Sequence, residues 1–146
     1  MEIKVLIINN SPHELPGYQT EGAAGMDIRA WLPAKVVLKP MERKLLPTGI
    51  YLGLPEGHEA QIRPRSGLAI KRGLTVVNAP GTIDSDYRGE VLVALINLSD
   101  EDQVIHDGDR IAQMIISKYD KVVWETVDEM EQTKRGAGGF GHSGTH

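Results

Sequence analysis

Glycine and proline interrupt this chain so often that few stretches are left long enough for a helix. Sixteen glycines and eight prolines are spread through 146 residues. Glycine costs backbone entropy in a regular element, and proline removes an amide donor. Between them lie short apolar or alternating segments: EIKVLII, MDIRA, AKVVLK, TGIYLGL, HEAQIRP, LTVV, EVLVALIN, DRIAQMIIS and VVWETV. In TGIYLGL, residues Ile50, Leu52 and Leu54 share one strand face. About nine short strands at this spacing predict an all-β barrel or sandwich of the jelly-roll type. A single short helix is predicted from Ser66 to Arg72, with Ser66 as N-cap and Gly73 as the stop.

The whole chain, 1–146, reads as one domain, since no repeat and no low-complexity linker divides it. Its end is different. TKRGAGGFGHSGTH carries five glycines in its last eleven residues, so residues 133–146 are expected to form a mobile arm with no core of their own. That arm is either a disordered end or, given Arg135 and Phe140 among the glycines, a lid over a ligand.

Composition narrows the functional classes. There are no cysteines, which excludes disulfides and thiolate metal sites. The opening MEIKVLIINN reads as a first strand rather than a signal peptide, and no run reaches membrane-spanning length. A cytoplasmic protein with no membrane partner is the expectation. Sixteen basic against twenty acidic side chains give a formal charge of −4. A nucleic-acid polymer is therefore not the expected partner, because sequence-independent binding to one depends on a basic field. A small anion needs only a few well-placed cations and amides.

Several short segments carry polar residues that a plain β-sandwich does not require. In PRSGLA, residues Arg65, Ser66 and Gly67 stand where a strand feeds a helix, and free amides at such a junction favour phosphate. AAGMDIRA sets Asp27 at a strand entry, where a turn acid is the plainer reading. Gln113 lies in the apolar run of GDRIAQMII and must find partners in the core or on a ligand. GTIDSDYRGEV crowds Asp84, Asp86, Tyr87 and Arg88 into one turn. The five histidines (13, 58, 106, 142 and 146) have no convincing metal spacing, and no phosphate-loop or nucleophile-elbow motif occurs.

In this order, AAGMDIRA, PRSGLA, GTIDSDYRGEV, GDRIAQMII and RGAGGFGHSG resemble the five motifs of the homotrimeric dUTPases, from residue 23 to 144. The resemblance implies a jelly-roll-like subunit and a homotrimer with three active sites, each built by all three chains. It also implies hydrolysis of dUTP to dUMP and pyrophosphate, with water attacking the α-phosphorus. That reaction limits uracil incorporation into DNA and supplies dUMP for dTMP synthesis.

By the same resemblance, Asp84 is the general base. Asn78, with the backbone through Thr82 and Ile83, reads uracil. Tyr87 packs on deoxyribose and refuses a ribose hydroxyl. Arg65, Ser66, Gly67 and Gln113 hold the phosphate chain. Mg²⁺ is the implied cofactor, held mainly by phosphates and waters, with Asp27 acting through those waters. In the arm, Arg135 meets the γ-phosphate and Phe140 stacks over uracil, with Gly141, His142 and Ser143 completing the lid. The chain departs from the commonest family ending here, with GGFGHSGTH in place of GGFGSTG. An imidazole at 142 would grip phosphate better when protonated.

Two other functions compete. A dCTP deaminase shares the wider fold, but it does not account for DYRG, and Glu90 looks like a strand-edge residue rather than part of a deaminase motif. A dUTP sensor without turnover has no need of Asp84. Asp86 and Arg88 fit only a loop-bracing role.

Overall fold

A computed structural model describes every residue from Met1 to His146. Ten strands and one helix follow in the order β1 (Leu6–Asn9), β2 (Met26–Arg29), β3 (Val36–Leu38), β4 (Arg43–Gly53), β5 (His58–Arg63), α1 (Ser66–Arg72), β6 (Leu74–Val76), β7 (Gly81–Ile83), β8 (Glu90–Asn97), β9 (Gln103–Ile105) and β10 (Arg110–Lys118). One sheet has the order β1-β4-β8-β6, a second β2-β10-β5-β7, and β3 pairs with β9 alone. Every pairing is antiparallel. The expected all-β, jelly-roll-like fold with one short helix is the fold observed.

The period of two explains how the sheets close. Val91, Val93 and Leu95 point inward from β8, as do Ala60 and Ile62 from β5 and Ala112 and Met114 from β10. These side chains belong to a single cluster of 19 buried apolar residues drawn from both four-stranded sheets. Ile50, Leu52 and Leu54 are buried, as the alternation of TGIYLGL predicts.

Some local predictions fail. GTI (81–83) and QVI (103–105) form strands that the sequence did not announce, because each is only three residues long and sits among turn signals. VVWETV forms no strand; the chain from 119 onward has no regular structure. Its apolar residues have no partner strand within the chain, since Val122, Val123 and Trp124 are 67%, 92% and 88% exposed. The helix spans the predicted residues, yet Arg65 rather than Ser66 occupies its cap. Arg65 is still extended (φ −88°, ψ 130°), so the turn into helical geometry comes one residue later and Ser66 is the first helical residue. Gly73 ends the helix at φ 64°, where a Cβ would lie 2.8 Å from the Ser99 amide.

Two buried polar side chains tie the sheets' irregular parts together. Asn97 is fully buried and donates to the carbonyls of Leu38 (2.9 Å) and Glu101 (2.7 Å), while its Oδ1 accepts from the Ser99 amide. Thr48 donates to the Val91 carbonyl at 2.6 Å. Near the first turn, Asp107 accepts from the Leu32 amide and faces His13 Nε2 at 2.9 Å. The hydrogen bond from His13, followed by that from the Leu32 amide, holds the Asp107 carboxyl below the usual carboxylate range. A depressed folded-state value makes this contribution present at neutral pH and lost as pH falls from about 4 through the folded-state value. Asp107→Asn is therefore expected to flatten the acid limb of a urea-midpoint profile measured between pH 6 and pH 3. The effect is small, because the pair is partly solvent-exposed.

Candidate active site

Strand register gathers three of the sequence-predicted segments on the outer face of one sheet. Gln113 on β10 stands directly between Asp27 on β2 and Arg63 on β5. Directly opposed residues point to the same side, and the neighbouring row of Met26, Met114 and Ile62 faces the core. The Gln113 amide donates to the Pro64 carbonyl at 3.0 Å. It lies so close over Gly25 that a Cβ there would collide with Gln113 Oε1. Gln113 thus finds its partners in the backbone just before Arg65, which fixes the strand-to-helix junction against β10.

Asp27 is drawn into the same cluster. Its carboxylate meets Arg65 Nε at 2.9 Å and Arg110 at 3.2 Å, and Arg65 also donates to the Arg110 carbonyl. Two guanidinium groups around one carboxylate leave the cluster net positive. Arg110 sits inside GDRIAQ, where nothing in the local sequence sets it apart from an ordinary strand-edge cation. Beside it, the first-turn amides of Ser66, Gly67 and Leu68 have no partner within the helix, and no side chain caps them. The ensemble suits an anion with several oxygens.

The segment from Asn78 to Glu90 lies elsewhere. β7 pairs with β5 so that Gly81 faces Ile62 and Ile83 faces Ala60. Asn78 sits before this strand, its Nδ2 packed close to Gly81. Asp84 follows the strand and opens a loop in which the Tyr87 amide donates back to the Asp84 carbonyl at 3.2 Å. Arg88 donates to the carbonyls of Ser85 (2.7 Å) and Tyr87 (3.0 Å), which is the bracing expected of it. The Tyr87 hydroxyl donates to the Glu90 carbonyl at 2.9 Å, and its ring folds over Gly89 so closely that a Cβ there would collide.

Two clefts meet at Asp84. A small one of about 180 Å³ is lined by Thr82, Ile83, Asp84, Tyr87 and the start of β8. A larger one of about 560 Å³ holds Glu56, Asp84, Asp86, Arg88 and Lys121. The first has the apolar wall and backbone edges suited to a base and sugar. The second is polar and open.

Within one chain these two groups are far apart. Asp84 lies beyond the Ala60 end of β5, and Arg65 lies beyond its Arg63 end. At roughly 3.3 Å per residue, Asp84 and Arg65 are on the order of 15–20 Å apart along the sheet. The arm joins neither. Residues 120–146 make no hydrogen bond to the body; Arg135 donates to Gly138 at 2.7 Å, and the Phe140 side chain is fully exposed. The His142 ring lies against Gly138, and residues 141–144 form one turn. The structure therefore brings together Asp27, Arg65, Ser66, Gly67 and Gln113 as one group. It brings together Asn78, Thr82, Ile83, Asp84 and Tyr87 as another, and leaves Arg135, Phe140, Gly141, His142 and Ser143 apart from both.

Comparison with known proteins places the chain among relatives of one kind. A family model described as dUTPase matches residues 11–144. The chain is 54% identical over 142 residues to the deoxyuridine 5'-triphosphate nucleotidohydrolase of Finegoldia magna, covering 97% of this chain and 99% of that one. It is 60% identical over 130 residues to the enzyme of the same name from Desulfotalea psychrophila, covering 89% and 87%. Among solved structures, a mutant dUTPase of Staphylococcus bacteriophage 80alpha with dUpNHpp superposes with a TM-score of 0.86 at 25% identity, over 97% of this chain and 99% of that one. No helix is long and apolar enough to cross a membrane.

Proposed function

The chain belongs to the dUTPase family and hydrolyses dUTP to dUMP and pyrophosphate; we propose that it does so in sites shared among three copies, with Asp84 as the general base. The separation of Asp84 from Arg65 carries the shared arrangement. Asp84 acts at the α-phosphorus and Arg65 holds the phosphates, so both must reach one triphosphate chain, which is shorter than the gap between them along the sheet. The reading therefore pairs one chain's Asp84–Tyr87 loop with another chain's Arg65–Ser66 junction. The exposed run Val122–Trp124 supports the same reading, because contiguous apolar residues with no partner in their own chain mark an association surface.

Each side chain then has a definite task. Uracil enters the small cleft, where the Asn78–Ile83 edge offers backbone donors and acceptors to O4 and N3–H. Tyr87 presses on the deoxyribose and leaves no space for a 2′-hydroxyl. Arg65, held by Asp27, and the free amides of Ser66 and Gly67 hold the phosphate chain, and Gln113 keeps their junction in place. Asp84 accepts a proton from water as the oxygen attacks the α-phosphorus. The new O–P bond forms as the bond from that phosphorus to its bridging oxygen breaks, and pyrophosphate leaves. Arg135, Phe140, Gly141, His142 and Ser143 come from a neighbour's arm to cover the γ-phosphate and uracil.

The residues present fit Mg²⁺ held by substrate rather than by protein. No three carboxylate or imidazole groups converge, and Mg²⁺ gives up its waters reluctantly. Each Asp27 oxygen keeps a second acceptor position beyond its arginine contact, sufficient for an ion-bound water. When bound, the ion neutralises charge on the triphosphate and orients it.

Pyrophosphate release from dUTP, dCTP, dTTP and UTP tests the base and sugar reading. We expect kcat/KM for dUTP to exceed that for each of the others by roughly 100-fold or more. Ammonia release from dCTP or comparable turnover of UTP would contradict it. The mass in solution is expected to be three times the 16.0 kDa of one chain, and the site of action the cytoplasmic nucleotide pool.

A further inference from the structure

The register of β4 against β8 breaks beside the Tyr87 loop. Pro47 faces Leu92 and Tyr51 faces Glu90, so Thr48, Gly49 and Ile50 together face Val91 alone. This bulge is buried and held rigidly. Gly49 has φ 73°, and a Cβ on it would stand 2.8 Å from the Trp31 ring and 2.9 Å from the Ser11 amide. Thr48 accepts from the Ile50 amide at 3.2 Å while donating to the Val91 carbonyl. The Gly49 amide is left with no backbone partner in its ladder, and it donates to Glu90 Oε1 at 2.8 Å. The same residue's carbonyl receives the Tyr87 hydroxyl at 2.9 Å.

We propose that Glu90 is a positioning residue for the sugar gate: its carboxylate fastens the first residue of β8 to the β4 bulge, and that anchor fixes the carbonyl on which Tyr87 rests. The inference rests on the reading of Tyr87 as the group that refuses ribose. Only three other hydrogen bonds define the Asp84–Gly89 loop, one from the Tyr87 amide and two from Arg88, and all three stay within the loop. The Tyr87–Glu90–Gly49 chain is thus the loop's polar tie to the sandwich. A charge-assisted bond to a buried amide is short and directional. Exclusion of a single hydroxyl depends on the ring keeping its place to within a fraction of an ångström, so the loss of this anchor should appear first in sugar selectivity.

The experiment measures kcat/KM for dUTP and for UTP, with Mg²⁺, in the wild type and in Glu90→Ala, Glu90→Asp, Glu90→Gln and Tyr87→Ala. Glu90→Ala is expected to narrow the dUTP-to-UTP ratio by about tenfold, mainly through a lower KM for UTP. Glu90→Gln keeps an acceptor at the same reach and is expected to hold the ratio within about twofold of wild type. Glu90→Asp, one methylene short, is expected to fall between them and serves where the alanine variant does not fold. An unchanged ratio in both Glu90→Ala and Glu90→Asp, beside a relaxed one in Tyr87→Ala, would overturn the proposal alone. An unchanged ratio in Tyr87→Ala would overturn the sugar-gate reading and the proposal with it.

Discussion

Asp84→Asn is expected to lower kcat for dUTP by roughly 10²- to 10⁴-fold while leaving KM close to wild type. The asparagine keeps the shape and the hydrogen-bonding reach of the aspartate but cannot take a proton from the attacking water. Asp84 opens its loop immediately after β7, and the backbone contact it makes there, its carbonyl accepting from the Tyr87 amide, does not depend on its side chain. The substitution should therefore leave the loop, the small cleft and nucleotide affinity intact. Single-turnover kinetics with dUTP, alongside titration with a non-hydrolysable dUTP analogue, separate these quantities. A variant that lost affinity in step with rate would point to a role in holding the nucleotide instead.

Removal of residues 133–146 is expected to cost kcat/KM roughly 10²- to 10³-fold. Arg135 is expected to supply a charge-assisted bond worth about 1.5–3 kcal/mol, and stacking of Phe140 on the base about 1–3 kcal/mol. Ordering the arm consumes part of that sum, and the remainder converts to the stated loss at about 1.4 kcal/mol per tenfold. The body should be untouched, because the arm makes no hydrogen bond to it within the chain. A truncated chain with an unchanged melting temperature and an unchanged number of copies per assembly but a strongly reduced kcat/KM is the expected result. Normal turnover without the arm would remove the lid from the account.

Much of the architecture was legible because β8, β10 and β5 carry apolar alternation between clear breakers. The helix was bounded correctly, its end by Gly73, although Ser66 proved to be its first helical residue and not its cap. The candidate site residues have another source: five short motifs in fixed order resemble one family. What stayed hidden depended on tertiary pairing. β7 is three residues inside a segment dense with turn formers, and only its pairing with β5 makes it a strand. VVWETV has the pattern of a strand but no partner in its own chain, so alternation alone misled. The antiparallel register of β7 on β5, which carries Asp84 away from Arg65, has no signature in either segment. Nor did Glu90 and Arg110 stand out, since a charged residue at a strand edge is usually solvated. Proline, threonine and glycine in LPTGIYLG were a usable hint of the bulge that Glu90 anchors.

The shared site is tested most directly by mixing two inactive chains. Asp84→Asn and Arg65→Ala chains are unfolded together in equal amounts and refolded, and dUTP turnover is compared with each variant refolded alone. If Asp84 and Arg65 of one site come from different copies, random assembly gives intact pairs at about one quarter of the sites. Turnover should then rise to about a quarter of the wild-type value, far above either parent. Activity that stays at the level of the two parents, in mixtures shown by mass to contain both chains, would contradict the account.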